Sequence, residues 1–234
     1  MELPYLLALH AINGMNGQLL RSILQAYHND AKAAWLDGAN WSKRVRMSAH
    51  EKDLMAAGQN KIDVEQYYQR FLATGAKVVC RDDADYPNML REIYDPPYLL
   101  YYMGELPPQN FLSIAVIGSR RCTNYGRQVA ENLAAGMAMN GFWVIAGMAR
   151  GIDSAGHRGA LLAKGKTVAV LGSGIDVIYP PENKDLYRAI CENGCVMSEF
   201  PLGAEPLARH FPIRNRIISG LSMGVVVVEG ADRS

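Results

Sequence analysis

Ser113-Ile114-Ala115-Val116-Ile117-Gly118-Ser119-Arg120-Arg121 decides how this chain is read. Residues 114–118 run on apolar without alternation, the pattern of a short strand buried on both faces. Gly118 ends it and lets the backbone turn sharply. Residues 124–140 then show helical spacing, so Ser119 and Arg120 stand between a strand end and a helix start. A helix start offers unpaired N–H groups and a positive dipole end. With a hydroxyl and a guanidinium beside it, an anion, most naturally a phosphate, has a place to bind. The alternative is a surface turn whose arginines are only solvated.

Outward from this stretch, strands and helices alternate. Strand patterns fall at 114–118, 143–146, 167–171, 195–198 and 224–228, and helical patterns at 124–140, 153–163, 183–192 and 214–221. Alternation with helix-length crossovers predicts an α/β fold: a doubly wound parallel sheet covered on both faces. Ligands of such sheets bind beyond the carboxyl ends of the strands, near the switch point. The chain stops at Arg233-Ser234, soon after the last strand. A doubly wound domain is expected to continue, so a truncated C-terminus is expected.

Two more loops follow strands. Gly147-Met148-Ala149-Arg150-Gly151-Ile152-Asp153 has glycines that permit close backbone approach and an Asp153 able to cap the next helix. With the first loop it forms an expected phosphate site comprising Gly118, Ser119, Arg120, Gly147, Arg150 and Gly151. Arg150 has a rival reading, an ion pair with a nearby carboxylate. Gly172-Ser173-Gly174-Ile175-Asp176 resembles a dinucleotide fingerprint, but Val177 replaces the third glycine, so NAD or FAD is not expected. Lys164-Gly165-Lys166-Thr167 precedes a strand, whereas a phosphate loop follows one. Its two lysines either contact a nucleic-acid backbone or serve solubility.

Residues 211–222 are the most informative segment. Pro212 suits a helix entry. Ile213, Ile217 and Leu221 recur at i, i+4 and i+8 and are expected to line the buried face. Arg214 and Arg216 then point elsewhere, near a positive dipole end, where an anionic ligand would relieve them. Pairing with Glu199 or Glu205 is the alternative. No catalytic constellation emerges, and no metal-spaced His/Cys cluster or Gly-x-Ser-x-Gly element is present. Glu199 and Glu229 sit at strand ends as conceivable acid–base groups, and His157 reads more readily as a structural group than as a catalyst.

The 234 residues carry 24 Lys plus Arg against 23 Asp plus Glu, so a nucleic-acid site has to be local. Residues 1–75 hold 8 basic and 7 acidic groups, 76–113 hold 3 and 6, and 114–234 hold 13 and 10, which puts the positive excess in the last segment. The four cysteines are sparse and lack C-x-x-C spacing, which reads as reduced thiols of a cytoplasmic protein. The N-terminus lacks the pattern of a signal peptide, and no apolar run approaches the ~20 residues of a membrane span.

Residues 1–75 read as a small all-helical domain. Ile12-Asn13-Gly14-Met15-Asn16-Gly17 has the apolar-x-Gly spacing of a helix-hairpin-helix turn, which either meets a phosphate or only packs. Further helices are expected at 29–37, 48–60 and 63–74, the second opened by a Ser48/Glu51 capping box. Residues 76–113 read as a connecting strand and turn segment. Residues 76–80 form a strand, and Tyr98-Leu99-Leu100-Tyr101-Tyr102 is expected at a sheet edge.

Gly118-Ser119-Arg120, the 147–153 loop, Leu171 to Asp176 with Tyr179-Pro180, Ser198-Glu199 and residues 211–222, in that order, resemble the DprA/Smf family of DNA-processing proteins. Tyr86-Pro87 and Asp95-Pro96-Pro97 fit the same pattern, and the resemblance covers roughly residues 80–234. It implies an extended Rossmann-like core at 114–234, preceded by a sterile-alpha-motif-like domain. It further implies a non-enzymatic protein without a cofactor, which binds and protects incoming single-stranded DNA and loads RecA recombinase during natural transformation. A homodimer through the Rossmann domain is implied as well. The implied DNA pocket adds Arg158, Lys164, Lys166, Arg214, Asn215 and Arg216 to Ser119 and Arg120. Nothing in these residues resembles the winged-helix domain that follows the core in many members, in keeping with the expected truncation. The rival expectation is a Rossmann-type binder or hydrolase of a nucleotide-derived small molecule, such as the cytokinin-activating phosphoribohydrolases, whose Pro-Gly-Gly-x-Gly-Thr signature is missing.

Overall fold

A computed structural model describes residues 2–230. The Arg233-Ser234 end, on which the truncation reading falls, lies outside them. Two compact units divide the chain, the first ending at Ala76 and the second beginning at Lys77.

The first unit is helical: α1 Leu3–Ala11, α2 Gly17–Ala26, α3 Ala31–Leu36, α4 Trp41–Arg44, α5 Ala49–Gln59 and α6 Val64–Thr74. Short polar residues start four of them. Asn16 accepts from Leu19 N, Asp30 from Ala33 N and Asp63 from Gln66 N, while Ser48 and Glu51 form a reciprocal capping box. Leu6, Leu7, Leu9, Leu20, Ile23 and Leu24 make the core, which Trp41 joins with its indole N–H on Ala34 O at 2.6 Å. The Ile12–Gly17 turn packs: Ile12 is buried and Gly14 backs onto Leu54 and Met55 of α5.

The second unit is a seven-stranded sheet. Its strands are β1 Lys77–Cys80, β2 Leu99–Gly104, β3 Ser113–Gly118, β4 Trp143–Ala146, β5 Thr167–Val170, β6 Cys195–Ser198 and β7 Gly224–Val228. Their order is β1-β2-β6-β5-β4-β3-β7. From β6 to β7 all neighbours are parallel, and β1 and β2 are antiparallel additions. Residues 76–113 supply β1 and β2, where strands were expected, together with the short helix α7 Asn88–Arg91. The edge assignment shifts. β2 is paired on both sides, and β1 is the edge. Leu99, Leu100 and Tyr101 are all buried, which suits an inner strand.

The helices are α8 Asn124–Met139, α9 Ile152–Leu162, α10 Lys184–Asn193 and α11 His210–Gly220. Small residues let α8 and α9 approach closely: Ala130, Ala134 and Ala138 pack with Ala155 and Ala160 over Val116 and Val144. On the opposite face, Leu90 of α7 with Ile217, Ile218 and Leu221 covers Ala115, Ile145, Val168, Val170 and Met197. β4, β5 and β6 lie to one side of β3 and β7 to the other, so the switch point falls between β3 and β7.

Candidate nucleic-acid interface

The expected anion site at the start of α8 is already taken. The backbone N–H of Thr123, the N-cap of α8, donates to both Glu229 carboxylate oxygens at 2.8 and 3.0 Å, and its hydroxyl donates at 2.8 Å. Ser119 N donates to Glu229 O at 2.8 Å. The chain supplies its own carboxylate at the switch point, which corrects the placing of a phosphate there. Thr123 Oγ1 meanwhile accepts from Gly126 N.

An exposed cation over an aromatic ring stands one layer over, where the loops after β3, β4 and β5 meet the start of α11. Arg120 is exposed, and its guanidinium lies 4.8 Å from the Phe211 ring centroid. Phe211 rests against Gly172 and sits 5.9 Å from the Tyr179 ring. Phe200 and His210 stack nearby at 4.2 Å. Gly151, at φ 76°, has no room for a side chain, because a Cβ would collide with Ser119 O. Its absent side chain lets the second loop close on the first.

Arg214 departs most from expectation. The helix begins at His210, so Pro212 is its third residue and Arg214 lies in the second turn. Ile213 is 43% exposed while Arg214 is 3% exposed, so the buried stripe is Arg214, Ile217, Ile218 and Leu221. Arg214 Nη1 donates to Gly147 O at 2.7 Å and to Val170 O. Gly147 N and Ala149 N donate to Asp153 Oδ2 at 3.0 and 3.3 Å. Asp153 therefore fastens its own loop, and is not the N-cap of α9, a position held by Gly151. Burial pushes the Asp153 carboxyl up, against the pull of the Arg214 charge and the two N–H bonds. Burial pushes Arg214 down to about 10, with Asp153 opposing, so it is a cation at neutral pH.

Arg150 and Arg216 are committed to carboxylates. Arg150 pairs with Glu182 through two hydrogen bonds and lies 6.0 Å from the Tyr179 ring. Arg216 forms a two-pronged pair with Glu199 and a further one with Asp95 at 3.2 Å. For both, the rival reading describes the contacts found, and neither is a free anion receptor. Asn215 and Arg158 are exposed, Arg158 midway along α9. Lys164 and Lys166 precede β5, at the amino ends of the parallel strands, and Lys166 pairs with Glu105 at 3.3 Å. The sheet thus separates both lysines from the Arg120 loop, a correction to the single pocket expected. Gly118 packs under Val228 O and Ile152.

The possible acid–base groups are likewise engaged. Glu199 holds Arg216, and Glu229 holds Thr123. His157 is fully buried, its Nδ1 2.7 Å from Thr167 Oγ1. Since that hydroxyl donates to Val144 O, Nδ1 carries the proton, and burial lowers the imidazole to about 3. Among the described residues no His/Cys/Asp/Glu group could hold a metal, and no helix is long and apolar enough to cross a membrane. All four cysteines are free.

Sequence reasoning missed Phe211, Tyr179 and Asn183 as parts of the site. Asn183 is buried and donates to Met148 O at 2.9 Å and Ser154 Oγ at 2.8 Å, which fixes a loop whose Met148 has φ 55°. The Phe-Pro-Ile-Arg run at 211–214 was the available signal for Phe211. The Asn183 contact spans 35 residues and left none.

A mostly parallel sheet with helices on both faces and glycine-rich loops above the carboxyl ends of its strands defines a class, the Rossmann-like α/β proteins. The family is shown by comparison. The model of DNA recombination-mediator protein A matches residues 77–234, and the chain belongs to that family. It is 33% identical over its whole length to Protein Smf of Synechocystis sp.. It is also 47% identical over 152 residues to DNA processing protein DprA of Streptococcus pneumoniae, and 37% over 194 residues to that of Bacillus subtilis. It spans 60%, 54% and 64% of those proteins. The solved structure of S. pneumoniae DNA processing protein A superposes with a TM-score of 0.80 at 34% identity, over 99% of this chain and 79% of that one. DNA processing protein A from Helicobacter pylori, described for its single-stranded DNA binding mode, gives 0.62 at 29% identity over 68% and 71%.

Proposed function

We propose that this protein binds single-stranded DNA as a recombination mediator, without catalysing a reaction on it. Support comes first from Arg120, an exposed guanidinium on the face of Phe211. A cation beside an aromatic ring suits a phosphate with its neighbouring base stacked, and such contacts tolerate any sequence. The family and the single-stranded DNA binding of the H. pylori relative point the same way. On this reading the protein works in the cytoplasm as a homodimer through the Rossmann domain, protects incoming strands during natural transformation and delivers them to RecA. Asn215 and Arg158 are secondary candidates for the strand's path.

The test is a band shift with matched single- and double-stranded oligonucleotides at two salt concentrations. The expected result is tighter binding of the single strand, weakening as salt rises. Equal affinity for both forms, or a thermal shift with mononucleotides and no oligonucleotide binding, contradicts it. The latter result favours the small-molecule alternative.

A further inference from the structure

We infer that Arg214 is a positioning residue that clamps the DNA site and does not itself touch the strand. This rests on the reading of Arg120 and Phe211 as the contact surface. Arg214 is 3% exposed, and its Nε is sealed from solvent without an acceptor. With Nη1 spent on two carbonyls and the side chain this deeply buried, little of the guanidinium is left for an anion outside the protein. Its Nη1 ties α11 to two backbone carbonyls, Gly147 just past β4 and Val170 at the end of β5. From the other side Asp153 holds the N–H of the same Gly147. The two opposite charges therefore grip one residue's backbone between them, and the buried cation is offset by a buried carboxylate.

Gly147 is part of the device. A Cβ there would collide with the Arg214 guanidinium, so the glycine makes room for a group of the chain itself and not for a ligand. What the clamp presents is Phe211, one turn earlier on α11 and 5.8 Å from the Arg214 guanidinium. Phe211 carries Arg120 on its ring, at 4.8 Å. Loosening Arg214 frees the first turns of α11 and moves both contact residues, while every exposed charge is kept.

Two variants separate clamping from contact. Arg214→Lys keeps the charge but loses the fork that spans two carbonyls. Gly147→Ala keeps every cation and pushes the guanidinium from its seat. Each is checked by thermal melting, and affinity for a single-stranded oligonucleotide is measured beside amide exchange of α11 in the free protein. The clamp predicts faster exchange of the backbone N–H groups of His210, Phe211, Ile213 and Arg214 and about tenfold weaker binding in both variants. It also predicts that adding Arg214→Lys to Arg120→Ala costs far less than the product of the single losses. Wild-type binding and exchange in Arg214→Lys overturn the inference, as do fully additive losses with Arg120→Ala. If the wild-type protein binds no single-stranded oligonucleotide, the proposed function falls and with it the role in binding. Exchange in the free protein still decides whether the clamp itself exists.

Discussion

At the scale of single residues, the glycines of this chain separate by what their missing side chains make room for. Gly151 has φ 76° and faces Ser119 O, so Gly151→Ala meets both backbone strain and a collision. It is expected to cost more than about 1 kcal/mol, read by urea denaturation. Gly136 is the opposite case, inside α8 with open space where a Cβ would stand. Gly136→Ala is expected to stabilise by about 0.5–1 kcal/mol in the same measurement. The sequence marks Gly147 and Gly151 as loop glycines, but only the packing around them distinguishes a glycine that admits a ligand from one that admits a neighbouring loop or an arginine.

At the scale of elements, α11 shows where periodicity misleads. Ile213, Ile217 and Leu221 satisfy a helical stripe, yet the buried stripe is turned by one residue because Arg214 is inside. A rule that counts arginine as outward cannot find an arginine whose donors are met by strand-end carbonyls. Ile217→Ala is expected to cost about 2–5 kcal/mol. Ile213→Ala, by contrast, should stay within about 0.5 kcal/mol. Equal costs in urea denaturation would restore the stripe that periodicity alone suggests.

Caps were far more legible, because a cap is a contact within four residues. Ser48 and Glu51 form the box their spacing announced. The Ser48 hydrogen bonds hold the Glu51 carboxyl below the usual range. A depressed folded-state value means that its support of α5 is present above the ordinary carboxylate pKa and is lost as pH falls through the folded value. Amide protection factors in the first turn of α5, taken relative to the intrinsic rate at each pH, should therefore fall on acidification, and in Ser48→Ala they should already be low at neutral pH.

At the scale of the whole molecule, the parallel sheet was legible in its strands and crossovers, and the crevice rule pointed to the end of it where Arg120 and Phe211 meet. The seat of the candidate site within that end was not legible. Glu229 reaches Thr123 across 106 positions, and no local pattern announces that an internal carboxylate will occupy the helix start beside the switch point. Likewise Lys164 and Lys166 are near the second loop in sequence, but a helix carries them to the sheet's other end. The charges divide accordingly: Arg150 and Arg216 are neutralised by carboxylates, Arg214 is sealed with Asp153, and Arg120 faces solvent over an aromatic ring.

The salt dependence of single-stranded oligonucleotide affinity, compared between Arg120→Ala and a Lys164→Ala/Lys166→Ala double variant, tests that division most directly. The account predicts weaker binding by Arg120→Ala with a slope shallower by about 0.7, the loss of one phosphate contact, and an unchanged slope in the lysine variant. An unchanged slope in Arg120→Ala beside a flattened one in the lysine variant would contradict it.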